Sequence, residues 1–136
     1  MIELSGRTVF ITGASRGIGK ALALAFSREK VKLAITARGN MDMLEKTADE
    51  ARKAGSEVLT LKMDMKSEKD VRDGFKRTLD EFGSLDVLIN NAGTARPGLV
   101  GMLSEENWDE VIDVNLKGVF LCSREAIRPM SSASVG

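Results

Sequence analysis

Val9-Phe10-Ile11-Thr12-Gly13-Ala14-Ser15-Arg16-Gly17-Ile18-Gly19 is a short apolar, β-branched run that ends in a glycine-rich turn. The turn opens into Lys20-Ala21-Leu22-Ala23-Leu24-Ala25-Phe26, a segment of mostly strong helix formers. Strand, glycine turn and helix, in that order, are how α/β proteins hold a phosphate-bearing ligand. The first backbone N–H groups of a helix have no intrahelical acceptor, and the helix dipole adds partial positive charge there. A pyrophosphate supplies the missing acceptors. Three residues separate Gly13 from Gly17, and one separates Gly17 from Gly19, so the spacing departs from the literal G-x-G-x-x-G fingerprint. Gly13 is assigned to the tight turn, Gly17 to close approach of backbone and ligand, and Gly19 to packing of the helix on the sheet. By itself the turn is equally compatible with a βα connection that binds nothing, so the surrounding chain has to decide.

Apolar β-type runs and helical patterns alternate on either side of that turn. Strands are expected near residues 8–12, 31–37, 57–63 and 86–90, and helices near 17–29, 42–54 and 68–82. Leu44, Thr47, Ala48 and Ala51 recur at helical spacing, and so do Val71, Phe75, Leu79 and Phe82. Gly55 and Gly83 stand where helices stop. Val87-Leu88-Ile89 suits a strand buried on both faces. A loop follows over 90–101, and then Ser104, with Glu105 and Glu106 behind it, caps a further helix. That helix is expected to break near Asn115 and to run to about Arg128, where Pro129 stops it. The alternation reads as βαβ units forming an α/β, doubly wound parallel sheet in one dinucleotide-binding domain over residues 1–136. A next strand of about five residues is expected in such a sheet. Pro129-Met130-Ser131-Ser132 leaves no room for it, so the 86–90 strand would lie at an open edge. The fold therefore reads as incomplete after the fourth strand. The expectation is a partial record of a longer enzyme, with residues missing between Met130 and Ser131 and beyond Gly136.

Composition narrows the chemistry. The 136 residues suit one domain, and 20 basic against 20 acidic side chains give no net charge. That balance argues against nucleic acid or an anionic membrane as the main partner. No apolar run reaches the length of about 18 residues that a membrane span needs, and the N-terminal residues lack the apolar core of a signal peptide. Cys122 is the one cysteine, which fits a reducing cytoplasm. There is no histidine, so the commonest metal ligand and general base are absent, and no metal is expected. There is no tyrosine either.

Four further places carry chemistry. The second strand ends Thr36-Ala37-Arg38-Gly39-Asn40, where a dinucleotide fold would place an acid on the ribose 2′-hydroxyl. Arginine there suits a 2′-phosphate, and Arg16 in the glycine turn can approach the same group, so the pair points to NADP rather than NAD. The alternative is two solvated surface arginines. Asp64 follows the third strand at the edge where ligands bind, and either accepts from an adenine amino group or caps a turn. Asn90-Asn91-Ala92-Gly93 follows the fourth strand: small residues let a ligand lie against backbone and amides fasten neighbouring loops, although Asn and Gly also form ordinary turns. Asn115, inside Val111-Ile112-Asp113-Val114-Asn115-Leu116-Lys117-Gly118, is expected to be buried and hence hydrogen-bonded, as a ligand-site residue or a structural helix-break asparagine.

The glycine turn, Asn90-Asn91-Ala92-Gly93 and Asp113-Val114-Asn115-Leu116 together resemble the short-chain dehydrogenase/reductase family, with its TGxxxGxG, NNAG and VNL signatures. The resemblance covers about residues 1–130, with the 3-oxoacyl-carrier-protein reductase and glucose dehydrogenase types the most similar. It implies a Rossmann-like fold in which Gly13, Ser15, Arg16, Gly17, Ile18 and Gly19 line the cofactor phosphates. It also implies that Arg38 meets the 2′-phosphate, that Asp64 and Met65 flank the adenine, and that Asn91, Ala92 and Gly93 border the cofactor. Asn115 matches the asparagine of the family's Asn-Ser-Tyr-Lys tetrad, which helps hold a proton-relay water. Ser132 or Ser134 could match the serine, unless the serine-rich tail is simply flexible. With no tyrosine, the tetrad cannot be completed from these residues. The resemblance implies dimers or tetramers formed through the helix holding Asn115 and the one after it. Leu116, Val119, Phe120 and Ile127 are available there for core or interface. Cys122 is expected to be a small buried hydrophobe, and Trp108 a packing anchor. Two functions follow: an NADP(H)-dependent oxidoreductase moving a hydride between nicotinamide and a small-molecule carbonyl or secondary alcohol, or a non-catalytic nucleotide-binding or interaction module.

Overall fold

The computed structural model describes residues 2–133. Four strands, β1 (Thr8–Ile11), β2 (Lys32–Ala37), β3 (Glu57–Lys62) and β4 (Val87–Ile89), form one sheet in the order β3-β2-β1-β4. All three pairings are parallel, with Phe10 level with Ala34 on one side and with Leu88 on the other. The connecting helices are α1 (Gly17–Ser27), α2 (Met41–Lys53) and α3 (Glu68–Phe82). Beyond β4 come a single 3₁₀ turn at Val100–Met102, α4 (Glu105–Ile112), a π-helical turn at Asp113–Lys117, and α5 (Gly118–Ala133).

Side-chain alternation along β1 sorts the core into two layers, because successive strand residues face opposite sides of a sheet. Val9 and Ile11 face α1 and α2, where Leu33, Ile35, Leu44, Ala48 and Ala51 join them. Phe10 faces α3 and α5, packing with Leu61, Val71, Phe82, Leu121, Cys122 and Ala126. Its ring stacks on Phe75 at 4.3 Å between centroids. Helices on both faces leave every residue of β1 buried, which is why that strand reads as a continuous apolar run. Among the described residues β4 has a neighbour on one side only. Its residues are therefore half-buried rather than enclosed on both faces, and it forms the open edge that the sequence leads one to expect.

Strand order reverses at β1: the chain moves outward through β2 and β3, then returns to place β4 on the other side of β1. The carboxyl ends of β1 and β4 consequently diverge into a crevice, the position where doubly wound sheets bind ligands.

The helix ends follow local chemistry. Ser67 accepts from Asp70 N–H at 3.1 Å to start α3, Asn40 accepts from Met43 N–H to start α2, and Ser104 accepts from Asn107 N–H to start α4. Gly83 closes α3 at φ +79°, with its N–H on Leu79 O. The far end of α5 differs from expectation. The helix does not stop at Arg128 but carries Pro129, Met130 and Ser131 as continuous helix to Ala133. Ala126 is buried and Met130 packs against the same core, which holds the turn in place. The Ser131 and Ser132 hydroxyls donate to the carbonyls of Ile127 and Arg128 and satisfy the end of the helix. Trp108 is another difference: α4 has no buried residue, and the indole is 58% exposed rather than a packing anchor.

Candidate cofactor site

The crevice at the switch point is a cleft of about 560 Å³. It is bounded by the β1–α1 turn, by Ala37 at the end of β2 with Arg38, Gly39 and Asn40 beyond it, by Met63, Asp64 and Met65 after β3, by Asn91, Ala92, Gly93 and Thr94 after β4, and by Val114. Of the twelve residues expected to meet a cofactor, eleven (Gly13, Ser15, Arg16, Gly17, Ile18, Arg38, Asp64, Met65, Asn91, Ala92 and Gly93) line it.

The twelfth, Gly19, serves the packing role read from its position. A Cβ there would lie 2.0 Å from Gly13 O and 2.6 Å from Asn91 Nδ2. Gly13 sits at φ +68°, and a Cβ on it would lie 2.9 Å from Ala92 Cα. Gly17 also has positive φ, +60°, but nothing stands within 4 Å of its Cβ direction. Two glycines thus bring the turn, the helix and the post-β4 segment together, and the third opens the backbone towards the cleft. α1 starts without a side-chain cap, since Arg16 occupies the cap position and makes no capping bond. No acid stands in its first turn. A helix start of this kind, with its amides open to a cleft, suits the pyrophosphate of a dinucleotide.

Thr12, which the sequence did not mark out beyond its place in the motif, holds the two strand ends together. Its buried Oγ1 accepts from Asn91 N–H at 3.0 Å and Ala92 N–H at 2.9 Å. Asn91 answers through Nδ2, which donates to Thr12 O at 3.1 Å and Gly13 O at 2.9 Å. Thr36 ties in β2: its Oγ1 accepts from Gly13 N–H, and its carbonyl from Ala14 N–H. No buried side-chain polar atom among the described residues lacks a partner.

Asn115 is exposed, not buried as its apolar surroundings suggest, and it lies in the π turn at Asp113–Lys117, where regular helical spacing no longer decides which way a side chain faces. It is nonetheless fully engaged. Oδ1 accepts from Thr94 N–H at 2.8 Å, and Nδ2 donates to Thr94 O at 2.9 Å. This two-point clamp fixes the loop that carries Gly93, where a Cβ would come within 3.4 Å of Asn115 Oδ1. The helix break expected near Asn115 is this π turn. Gly118 lets the start of α5 approach the cleft floor, since a Cβ there would meet Met65 at 3.0 Å.

Asp64 closes a turn, the second of its two readings, and also faces Arg38. Oδ1 accepts from Lys66 N–H at 3.0 Å, closing a turn, while Oδ2 faces Arg38 Nε at 3.9 Å across the cleft. Arg38 also has Nη1 3.7 Å from Glu110 Oε1. Ser132 lies apart from the site. Fourteen residues beyond Gly118 on α5, it stands roughly 20 Å along the helix axis from the cleft end at 1.5 Å per residue. Its hydroxyl donates to Arg128 O, so no catalytic placement follows from this position. Ser134 lies outside the described residues. Cys122 is buried, and burial pushes its thiol up to about 12, as befits an inert core side chain. Among the described residues no cluster of His, Cys, Asp and Glu could hold a metal ion, and no helix is long and apolar enough to cross a membrane.

Comparison with known proteins agrees with this geometry. The profile of the short chain dehydrogenase family matches residues 7–136. The chain is 36% identical over 124 residues to the 3-oxoacyl-acyl-carrier-protein reductase FabG of Staphylococcus epidermidis, covering 91% of this chain and 51% of that protein. It is 37% identical to the corresponding Staphylococcus aureus enzyme, covering 91% of this chain and 50% of that one. The chain thus spans about half the length of the curated relatives it matches. Among solved structures, a short-chain type dehydrogenase/reductase from Mycobacterium marinum superimposes with a TM-score of 0.92 at 34% identity, over 98% of this chain and 54% of that one. A Serratia marcescens short-chain dehydrogenase/reductase variant gives 0.91 at 33% identity, over 95% and 53%. With the uncapped glycine turn, the switch-point crevice and the clamped post-β4 loop in place, these likenesses show that the chain belongs to the short chain dehydrogenase family, an oxidoreductase family with a Rossmann-like fold.

Proposed function

We propose that this chain carries the coenzyme site of an NADP(H)-dependent oxidoreductase that moves a hydride between nicotinamide and a carbonyl or secondary alcohol. The observation that supports the NADP reading is the pair Arg16 and Arg38, both lining the cleft, with Ala37-Arg38-Gly39 where an NAD site would present an acid. The bound coenzyme supplies the hydride. The residues present bind and orient it. The α1 amides and the backbone at Gly17 hold the pyrophosphate, Asp64 and Met65 flank the adenine, and Arg38 with Arg16 pairs the 2′-phosphate. Asn91, Ala92 and Gly93 offer a low, small-residue wall along the coenzyme. Asn115 acts as a positioning residue, since both amide atoms are committed to the Thr94 backbone.

The matched FabG relatives are named as reductases of 3-oxoacyl groups on acyl-carrier protein. A small-molecule carbonyl of that general class is the substrate proposed here, in the cytoplasm. Leu116, Phe120 and Ile127, each more than half exposed along one helical segment, support assembly as a homo-oligomer.

Replacing Arg38 by Ala tests the coenzyme reading. NADPH binding, followed by its fluorescence, should weaken about tenfold for loss of one charge-assisted pair, with NADH unchanged. An equal loss for both coenzymes would contradict a 2′-phosphate role.

A further inference from the structure

Arg38 does not face the cleft alone. Its guanidinium lies between two carboxylates, Asp64 Oδ2 at 3.9 Å and Glu110 Oε1 at 3.7 Å. The same Glu110 oxygen accepts a hydrogen bond from Arg96 Nη2 at 2.9 Å. Arg96 sits in the post-β4 loop, where its Nη1 also donates to Ala95 O at 2.9 Å and to Thr94 Oγ1 at 3.2 Å. Glu110 is the least exposed member of this group, at 22% for its side chain against 61% for Arg38 and 42% for Arg96. Four segments distant in sequence therefore share one charge row: the end of β2, the turn after β3, α4 and the loop beyond β4.

We infer that Glu110 is a specificity-determining residue that lowers the strength of the 2′-phosphate site, and that Arg96 counterbalances it. This rests on the NADP reading above. A 2′-phosphate arriving at Arg38 brings negative charge beside Glu110, which repels it and competes for the same guanidinium. Arg96 acts in the opposite sense: by taking the shorter contact to Glu110, it offsets part of the carboxylate's charge and leaves Arg38 freer. Both effects depend on the charge carried at the 2′ position. A ligand with a 2′-hydroxyl gives Glu110 nothing comparable to repel. Salt weakens both effects, because the row is partly open to solvent.

The two residues thus have opposite signs, which distinguishes this role from a structural one. In titrations of the unaltered chain, Glu110→Gln and Arg96→Met with NADPH, NADH and 2′,5′-ADP, Glu110→Gln should tighten NADPH and 2′,5′-ADP by about twofold to fivefold, the size expected of a partly exposed charge pair. Arg96→Met should weaken the same two ligands by about twofold to fivefold. NADH should change in neither variant, and raising the salt to about 0.5 M should shrink both differences. Melting curves establish that each variant is folded, and Arg96→Lys, which keeps the charge, should restore NADPH binding if Arg96→Met weakens it. Unchanged NADPH affinity in both folded variants, or equal shifts for NADPH and NADH, overturns the inference while leaving the coenzyme reading intact. Failure of the unaltered chain to prefer NADPH overturns both.

Discussion

Three glycines that look alike in the sequence do different things, and their substitutions should separate. Gly19→Ala puts a methyl group 2.0 Å from Gly13 O, a backbone atom that cannot step aside. It should cost about 3 kcal/mol or more in chemical denaturation, at the high end for a single substitution. Gly17→Ala meets open space but must hold φ +60°. It should cost about 1–2 kcal/mol, while reducing NADPH binding out of proportion if, as proposed, the backbone that would carry the methyl group meets the pyrophosphate. Cys122 gives a pH dependence. Its folded thiol is raised to about 12 from an ordinary 9.0, so the folded state favours the neutral form. That contribution is fully present below the unfolded pKa, and declines as pH rises from about 9 towards 12. Denaturant midpoints measured at pH 8 and pH 10.5 should differ less in Cys122→Ala than in the unaltered chain, and the folded thiol should resist alkylation at pH 8.

At the scale of elements, β1 and α3 were readable because local chemistry and tertiary packing agree. The α3 bounds of 68–82 follow from Ser67 at one end and Gly83 at the other, and Ser67→Ala should lower stability by about 1 kcal/mol in the same denaturation assay. α5 was not readable to its end. Proline costs a helix about 3 kcal/mol in isolation, and the compensation comes from Ala126 and Met130 seated on a core assembled from α3 and the sheet. Asn115 is hydrogen-bonded, as the sequence leads one to expect, but it is exposed rather than buried. Helical spacing assumes 3.6 residues per turn, and the π turn breaks that register at the asparagine itself. Hydrogen exchange should show the consequence: Asn115→Ala removes the acceptor of Thr94 N–H, and that amide should lose protection while the α3 amides keep theirs.

Across the whole molecule, the cleft exists because the strand order reverses at β1, and that reversal could be inferred from the alternation of elements. The residues along the chain that would line it could be named one by one. What could not be named were their partners across space. Thr12 with Asn91, Thr94 with Asn115, and Glu110 with Arg96 lie 79, 21 and 14 residues apart, Arg38 lies farther still from Glu110, and no spacing rule joins them. Whether Leu116, Phe120 and Ile127 serve core or interface is likewise a property of the assembled surface, where all three stand exposed. The pairing of Arg16 and Arg38 at one cleft makes the 2′-phosphate the feature by which coenzymes should be told apart. The direct measurement is the ratio of NADH to NADPH dissociation constants for the unaltered chain at low salt. A ratio of about ten or more is expected from one charge-assisted pair; a ratio near one, or a preference for NADH, would contradict it.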